Sequence, residues 1–347
     1  MDKNISYAGK QVNIGIDVHK QTYAIAVICE GVKIHNGVRP ALSGDLIHFI
    51  KKRFQGAEVR TVYEAGFSGF GLHRELVEAG IANIVVNPAS IAVSPNQKVK
   101  TDPLDALKLA SQLSTGMLKG IRIPSLEEEC RRQLSRTREQ LVKAQSKLLS
   151  QIKMKLHAYS LFPFGVKTIG LRVIRDIIAK ETTPNEVRIA IECLISVYKH
   201  IKCEIKKLEE ELKKQANNDK NEKLYRSVPG VGSIVARVLS NELGDLSQFS
   251  SEKKLSSFVG LVPTEHSSGE KVQRGHISKQ GSARLRSMLD QAAWVAIRKD
   301  RALKQFYDRL KVRCGGKKAI VAVCRKLLCR MLHIFKHQEP YKLAYCG

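Results

Sequence analysis

Residues 12–27 read VNIGIDVHKQTYAIAV, and this stretch decides the fold of the first part of the chain. Two short runs rich in β-branched residues flank a polar break at residues 19–22, a pattern that predicts a β-hairpin. Asp17 ends the first run. A carboxylate that follows an apolar strand in a sheet core is costly unless it is paired or bound to a metal, although a strand end can also place it in solvent. The hairpin therefore carries a candidate functional residue.

Helical and strand patterns alternate after the hairpin. They predict a helix over residues 43–54, a strand over 59–64 that ends at Glu64, a helix around 72–79, a strand over 83–86, and a helix opened by Asp102. Alternation of strands and helices is typical of an α/β domain. The sequence therefore predicts an α/β domain over residues 1–122.

The sequence changes character near residue 126. Two long charged segments, 127–158 and 185–215, repeat apolar residues at spacings of three and four, which predicts paired helices or an antiparallel coiled coil. We expect a helical region over residues 123–225, either a dimerisation element or ordinary core packing. Residues 226–347 then predict a third, mostly helical domain.

The composition indicates a polyanionic partner. Lys and Arg number 59 against 33 Asp and Glu, which leaves a formal charge of +26 and a sequence pI near 9.8. Such an excess favours phosphate contacts, so nucleic acid is the expected partner, and a basic solvated surface is the alternative. The polar N-terminus and the lack of a long apolar stretch predict a cytoplasmic protein. The eight cysteines form no CxxC pair, which argues against a zinc ribbon or a disulfide framework.

Four carboxylates form a candidate metal site: Asp17, Glu64, Asp102 and Asp105. A spacing of three puts the last two on one face of a helix, and carboxylates at strand ends can join them to hold magnesium or manganese. Alternatively, Asp102 is an N-cap, Pro103 the first helical residue and Asp105 a first-turn acid. The order of the four acids resembles the RNase H-like fold of the RuvC type, the Holliday-junction resolvase family. The texts IGIDVHK (residues 14–20) and KTDPLDA (residues 100–106) carry this likeness.

The last third of the chain contains two further motifs. SVPGVGSIVARVL (residues 227–239) resembles a helix-hairpin-helix turn, in which Gly230 and Gly232 let the backbone approach a phosphate; a glycine turn between packed helices is the alternative. HSSG (residues 266–269) places Ser267 and Ser268 in a basic segment, which suits a nucleophile attacking a phosphodiester, although such turns are more often plain loops. The basic residues assigned to nucleic-acid binding are Lys271, Arg274, Lys279, Arg284 and Arg286.

Two features near the C-terminus lie outside these motifs. Trp294 falls on an apolar helical face, which predicts that it is buried in the core. The basic residues 311–318 surround Cys314-Gly315-Gly316 between two predicted helices. This segment fits either a phosphate-contacting turn or a solvated loop.

The order of the motifs gives the most specific indication of function. PGVG, GLVP, HSSG and RGHISKQG follow GID, YEAG and KTDPLDA. With these motifs, the chain from about Val12 to about Lys336 resembles transposases of the insertion-sequence family one-ten. These are recombinases related to pilin-gene invertases, with a RuvC-like DEDD domain joined to a C-terminal transposase domain.

The resemblance implies an enzyme that cuts and rejoins DNA strands through a serine–DNA covalent intermediate. It implies that Ser268 is the nucleophile, with Ser267 as the alternative, and that magnesium or manganese is held by Asp17, Glu64, Asp102 and Asp105. It further implies that the acidic domain of one subunit faces the serine domain of another within a tetramer, and that a bridge RNA pairs with donor and target DNA. The alternatives are a RuvC-like structure-specific nuclease without serine chemistry, and a non-enzymatic basic nucleic-acid-binding protein.

Overall fold

The computed structural model describes residues 6–92, 101–166, 168–217, 219–268 and 271–343. The chain divides into two compact units, Met1–Pro124 and Ser125–Gly347. We call them unit 1 and unit 2. Each has its own buried core.

Unit 1 is a mixed α/β domain built on a five-stranded sheet. Its strands are β1 Gln11–Val18, β2 Thr22–Cys29, β3 Val32–Pro40, β4 Glu58–Glu64 and β5 Ala82–Val86. They lie in the order β3-β2-β1-β4-β5; β1 pairs antiparallel with β2 and parallel with β4. The predicted hairpin and α/β class are confirmed.

Helices cover both faces of this sheet. They are α1 Ser43–Arg53, α2 Gly71–Glu78 and α3 Asp102–Ser114. Large side chains of β1 and β2, including Ile14 and Ile25, pack with residues of α1 and α2 on one face. On the other face, small residues such as Ala24 and Ala26 pack against Ala106 and Ala110 of α3. Small residues on both elements allow α3 to lie close to the sheet.

The strand β3 was not predicted from the sequence. It reads VKIHNGVRP, and its residues are exposed or half-buried throughout. Because β3 forms the edge of the sheet, it has no continuous buried face to impose an apolar pattern.

Unit 2 is mostly helical. Its helices are α4 Leu126–Ala158, α5 Leu171–Ile178, α6 Asn185–Ala216, α7 Lys220–Arg226, α8 Ser233–Leu243, α9 Glu252–Val259, α10 Ala283–Lys299, α11 Arg301–Cys314 and α12 Gly316–His337. The two long helices α4 and α6 pack against each other, as the apolar spacing predicted. Near the end of α4, Ile152 and Leu156 are fully buried against Ile174 of α5 and Ile191 of α6.

Unit 2 also contains a hairpin that sequence patterns did not reveal. Its strands are β6 Pro263–Ser268 and β7 Lys271–Ile277, which pair antiparallel. Both strands are rich in polar residues, so neither shows the apolar alternation of a half-buried strand. Among the residues described, no helix is long and apolar enough to cross a membrane.

Candidate functional site

The close approach of α3 to β1 positions the acidic site of unit 1. Gly15 lies in the middle of β1, and a Cβ atom placed there would lie 2.0 Å from the Ala106 carbonyl oxygen and 2.5 Å from the Ala110 nitrogen. Only glycine allows this contact between backbones. Side chains two residues apart on a strand share a face, so Asp17 lies on the α3 face of the sheet.

The same geometry orients Glu64 and Asp105. Val62 of β4 packs with Leu109 of α3, and Glu64, two residues further along β4, lies on that face of the sheet. The register pairs Ile16 with Tyr63, so Asp17 and Glu64 follow at the same edge of parallel neighbours. Asp105 lies one turn before Leu109 on the helix. The elements therefore bring the four predicted carboxylates to one face and one edge of the sheet.

Two of these carboxylates meet a histidine. His19 Nε2 lies 3.3 Å from Asp17 Oδ2 and 3.1 Å from Asp102 Oδ2. Ligand atoms of these three residues all lie within 4.8 Å of one another, a grouping that could hold a metal ion. We call Asp17, His19 and Asp102 the β1–α3 cluster.

The electrostatics of Asp17 show how the carboxylates affect one another. Burial raises the pKa of the Asp17 carboxyl above its ordinary value, and the nearby charges of Asp102 and Asp105 raise it further, whereas His19 lowers it. Like charges held together disfavour ionisation unless a cation offsets them. Asp105 is therefore close enough to act on Asp17, and Asp102 lies close to both Asp17 and His19.

The alternative role of Asp102 as a helix cap is wrong. The N-cap of α3 is Thr101, whose side chain makes no capping hydrogen bond, and Asp102 is itself helical. Asp102 and Asp105 both lie in the first turn, where the helix dipole favours negative charge.

His19 is the member of the cluster that sequence reasoning missed. It lies in the turn between β1 and β2, where its backbone N–H donates to the Thr22 carbonyl at 2.9 Å. The signal was its position two residues after Asp17, which continues the same face beyond the strand. Within the described part of the chain, its buried Nε2 has no hydrogen-bond partner of good geometry.

This donor set fits a divalent cation. Carboxylate oxygens suit magnesium and manganese, and an imidazole nitrogen suits manganese and heavier transition metals. A cation among these groups would offset the like charges of Asp17, Asp102 and Asp105 and would give His19 Nε2 a further partner. The β1–α3 cluster can therefore hold a metal ion through Asp17 and Asp102, with His19 either as a ligand or as a neighbour that orients them.

The predicted nucleophile lies in unit 2. Ser268 is the last residue of β6 and pairs with Lys271, the first residue of β7; Ser267 pairs with Val272, and Glu265 with Arg274. The side chains of Ser267, Ser268, Lys271 and Arg274, and all of Gly269, lie outside the described residues. Their roles stay predictions.

Two arginines assigned to nucleic acid have protein partners. Arg284 Nε pairs with Glu139, and its Nη1 lies 3.2 Å from Glu242 Oε1. Arg286 Nη1 donates at 3.0 Å to the carbonyls of Val259 and Gly281. Both guanidinium groups thus hold unit 2 together.

The remaining predicted contacts lie in turns. Lys279 is exposed, with a left-handed backbone of φ 54°. Gly230 has φ +86°, and a Cβ atom there would lie 2.2 Å from the Ala292 carbonyl oxygen, so this glycine is required for packing on α10. Gly232 is the exposed N-cap of α8, with no atom near the position of a Cβ.

Comparison with known families gives the class of the protein. Residues 14–161 match the model of the DEDD transposases of the IS110 type, described as a transposase, and residues 222–308 match the transposase IS116/IS110/IS902 family. The first match contains the acidic site and the second contains the HSSG segment. The protein is a transposase, a class of enzyme that cuts and rejoins DNA.

Relatives extend the similarity over nearly the whole chain. The transposase for insertion sequence element IS1111A of Coxiella burnetii is 28% identical over 342 residues, which covers 96% of this chain and 91% of the relative. A putative transposase of Sinorhizobium fredii, y4qE, is 29% identical over 82% of this chain and 72% of its own length. The transposase for element IS1533 of Leptospira borgpetersenii is 34% identical over 38% of this chain and 39% of its own length. The chain belongs to the IS116/IS110/IS902 family of transposases, as the motif order indicated.

Proposed function

We propose that this transposase cuts and rejoins DNA strands through a covalent bond to Ser268, assisted by magnesium at the acidic site. The observation that carries the proposal is the convergence of Asp17, Asp102 and His19 at the edge of the sheet, with Asp105 close enough to raise the pKa of Asp17. Repulsion among these carboxylates favours a divalent cation as their partner.

The chemistry assigns a separate task to each unit. The Ser268 hydroxyl attacks the phosphorus of a DNA phosphodiester and gives its proton to water as a new O–P bond forms. The bond to one DNA oxygen breaks, and that oxygen takes up a proton from water and leaves as a hydroxyl. The freed DNA hydroxyl of a second strand then attacks the phosphoserine and releases the serine. Each step exchanges one phosphate ester for another, so rejoining needs no outside energy source.

The role of the carboxylates would be to bind the divalent cation. Asp17, Glu64, Asp102 and Asp105 would bind magnesium, or manganese, through their oxygens, and His19 would fix the orientation of Asp17 and Asp102. When bound, the cation offsets the charge of the phosphate and favours ionisation of the attacking hydroxyl.

The proposal extends to fold and assembly. We assign unit 1 to the RNase H-like fold of the RuvC type, supported by the strand order β3-β2-β1-β4-β5 with carboxylates at the ends of β1 and β4. The family resemblance supports a tetramer in which α4 and α6 serve as a coiled-coil dimerisation region, and a bridge RNA that pairs with donor and target DNA. The domain limits 1–122, 123–225 and 226–347 belong to this proposal.

A covalent adduct provides the test. Purified protein is incubated with element-end DNA and magnesium, denatured, and separated by electrophoresis to detect protein bound to DNA. We expect Ser268→Ala to remove the adduct while DNA binding persists, and Ser267→Ala, the matched neighbour, to retain it. An undiminished adduct in Ser268→Ala would reject the serine assignment. Cleavage that persists in Ser268→Ala without any adduct would favour the hydrolytic RuvC-like nuclease.

RNA guidance has its own test. RNA that copurifies with the protein is sequenced, and we expect one defined transcript from DNA that flanks the gene. Random cellular RNA alone would reject guidance without affecting the serine chemistry.

A further inference from the structure

Trp294 is a large aromatic residue that the core of unit 2 leaves at its surface. It lies on α10 beside Ala293 and Ala296, which are fully buried, yet 43% of Trp294 is exposed. The prediction that it belongs to the core is therefore wrong. Because exposed indole surface is costly in water, a surface tryptophan often marks a binding site.

Tyr307 of α11 connects Trp294 to the turn between α11 and α12. The two rings meet edge to face, with centroids 5.8 Å apart and planes at 64°. Tyr307 is only 8% exposed, and a Cβ atom on Gly316 would lie 3.1 Å from its hydroxyl oxygen. The buried Tyr307 therefore contacts the indole through its ring and lies against the first residue of α12 through its hydroxyl.

The same turn carries concentrated positive charge. Residues 309–318 read RLKVRCGGKK, with five cations and no carboxylate. Lys311 lies one helical turn after Tyr307, and Lys317 and Lys318 directly follow Gly316. Throughout the described ranges of the chain, neither Lys311, Arg313, Lys317 nor Lys318 lies within ion-pair distance of a carboxylate.

We propose that Trp294 and the α11–α12 turn bind an unpaired DNA strand, with the indole stacked on a base and the turn cations on the phosphates. We call this surface the stacking platform. A π-face takes any base but only an unstacked one, and basic residues around it follow the backbone. The inference rests on the proposed function, because cutting and exchanging strands exposes unpaired DNA.

The chain offers a built-in probe, because Trp294 is its single tryptophan. Full-length protein in EDTA, which prevents cleavage, is titrated with a thymidine oligonucleotide of about 12 nucleotides while tryptophan fluorescence is recorded. We expect saturable quenching by the single strand and little quenching by the same sequence in a duplex. Equal quenching by the duplex, or none by the single strand, would overturn the platform. Quenching by oligouridylate at much lower concentration than by DNA would overturn the DNA assignment in favour of RNA.

Variants test the ring itself through the anisotropy of a labelled oligonucleotide. Trp294→Leu keeps apolar volume without a π-face and should weaken binding about tenfold, whereas Trp294→Phe should retain most of the affinity. Phe164→Ala is the matched control, since Phe164 is a fully exposed aromatic residue between α4 and α5. Equal binding by Trp294→Leu and wild type, or an equal loss in Phe164→Ala, would reject the ring's role.

Salt dependence tests the cations. The double variant Lys317→Ala, Lys318→Ala should lower the slope of log K against log salt by about 1.4, the value for two phosphate contacts to a single strand. An unchanged slope would remove these lysines from the platform.

The proposed function and this inference fail in different ways. Asp17→Asn should show normal fluorescence quenching without strand exchange. Normal quenching in a protein that never forms a serine adduct would reject the serine chemistry and leave the platform intact. A normal adduct without quenching would do the reverse.

Discussion

Carboxylates lie among charged neighbours in both units, yet their pKa values move in opposite directions. In unit 1, burial and the carboxylates of Asp102 and Asp105 raise the pKa of Asp17. In unit 2, burial alone would raise the pKa of Glu242, but hydrogen bonds and positive charge from Arg136 and Arg284 outweigh it and hold that pKa below its ordinary value. Arg136 grips both Glu242 oxygens, at 2.8 and 2.9 Å.

This difference distinguishes the candidate metal site around Asp17 from the structural ion-pair network around Glu242. The charges around Glu242 are balanced within the protein, and they tie α4 to α8 and α10. The charges around Asp17 are not balanced by His19 alone, so the folded chain bears a repulsion that a bound cation would relieve. Groups with perturbed pKa values that carry such a cost are candidates for function.

Removal of the balancing carboxylate in unit 2 should have the largest effect. Glu242→Ala leaves Arg136 and Arg284 without their shared partner. We expect the free energy of unfolding to fall by about 3 kcal/mol, which is the low end for a buried ion pair because Arg136 is partly exposed. Urea unfolding followed by circular dichroism measures this change.

The exposed pair of Glu127 with Arg131 on α4 serves as the control for Glu242. Glu127→Ala should change stability by no more than about 0.5 kcal/mol. Similar losses in the two variants would mean that the Glu242 network is no stronger than a surface ion pair.

Removal of a charge in unit 1 should act on activity instead. We expect Asp17→Asn to lower magnesium-dependent strand exchange at least about 100-fold, which corresponds to about 2.7 kcal/mol, while stability is unchanged or higher because repulsion is relieved. Strand exchange is followed with labelled donor and target DNA.

Asp45→Asn is the matched control, since Asp45 also lies in the first turn of a helix in unit 1 but pairs with Arg39. It should keep full activity. Strand exchange at the normal rate in Asp17→Asn would contradict the acidic site.

An intermediate effect is expected at the contact between α3 and β1. Gly15→Ala places a methyl group 2.0 Å from the Ala106 carbonyl, so α3 must shift, at a cost of about 1–3 kcal/mol. Manganese binding, measured by electron paramagnetic resonance, should weaken with it. Gly44→Ala in α1, where nothing lies near the added atom, should leave manganese binding unchanged and stability equal or slightly higher. Wild-type metal binding in Gly15→Ala would separate the metal site from this contact.

The smallest expected effect is a difference between Glu242 and Asp17 in how each changes the stability of the protein at acid pH. Because the pKa of Glu242 is lowered, its stabilisation is complete above the ordinary value of 4.5 and is lost as the pH falls through the lowered pKa. Because the pKa of Asp17 is raised, its penalty is complete above that raised pKa and disappears as the pH falls through it toward 3.8.

Urea unfolding of Glu242→Gln and Asp17→Asn beside wild type measures both trends. At neutral pH we expect the first variant to be less stable than wild type and the second at least as stable, with both differences shrinking in acid. Differences of the same sign would refute the contrast between the units.

Elements that bury an apolar face were predictable from the sequence, whereas the edge strand β3 and the polar β6–β7 hairpin were not. The β1–β2 hairpin, the helix at Asp102 and the two long helices each bury an apolar face, which leaves a periodic pattern. The edge strand β3 buries no continuous face, and the β6–β7 hairpin is rich in polar residues, so neither carries such a pattern. Trp294 showed the limit of the same rule, because an apolar helical face predicted burial at a position that solvent reaches.

In the candidate site, the acidic residues could be chosen from the sequence, but the residues that contact them could not. Asp17 and Asp102 could be chosen because carboxylates beside apolar strands and helix starts are costly or specialised. His19 depended on the path of the hairpin turn, and the pairing of Arg284 with Glu139 joins residues far apart in the chain. Contacts of this kind arise from packing and leave no local trace in the sequence.

Gly15 makes the acidic site tolerant of apolar substitutions on the far face of the sheet. Because α3 rests on the backbone of β1 at Gly15, the spacing between Asp17 and Asp102 is set by this contact and by the small side chains of the same face, such as Ala24 and Ala106. Core residues on the far face, such as Ile14 and Ile25, can exchange with other apolar residues while the ligands keep their separation. A protein engineer could therefore repack that face for stability without retuning the metal site.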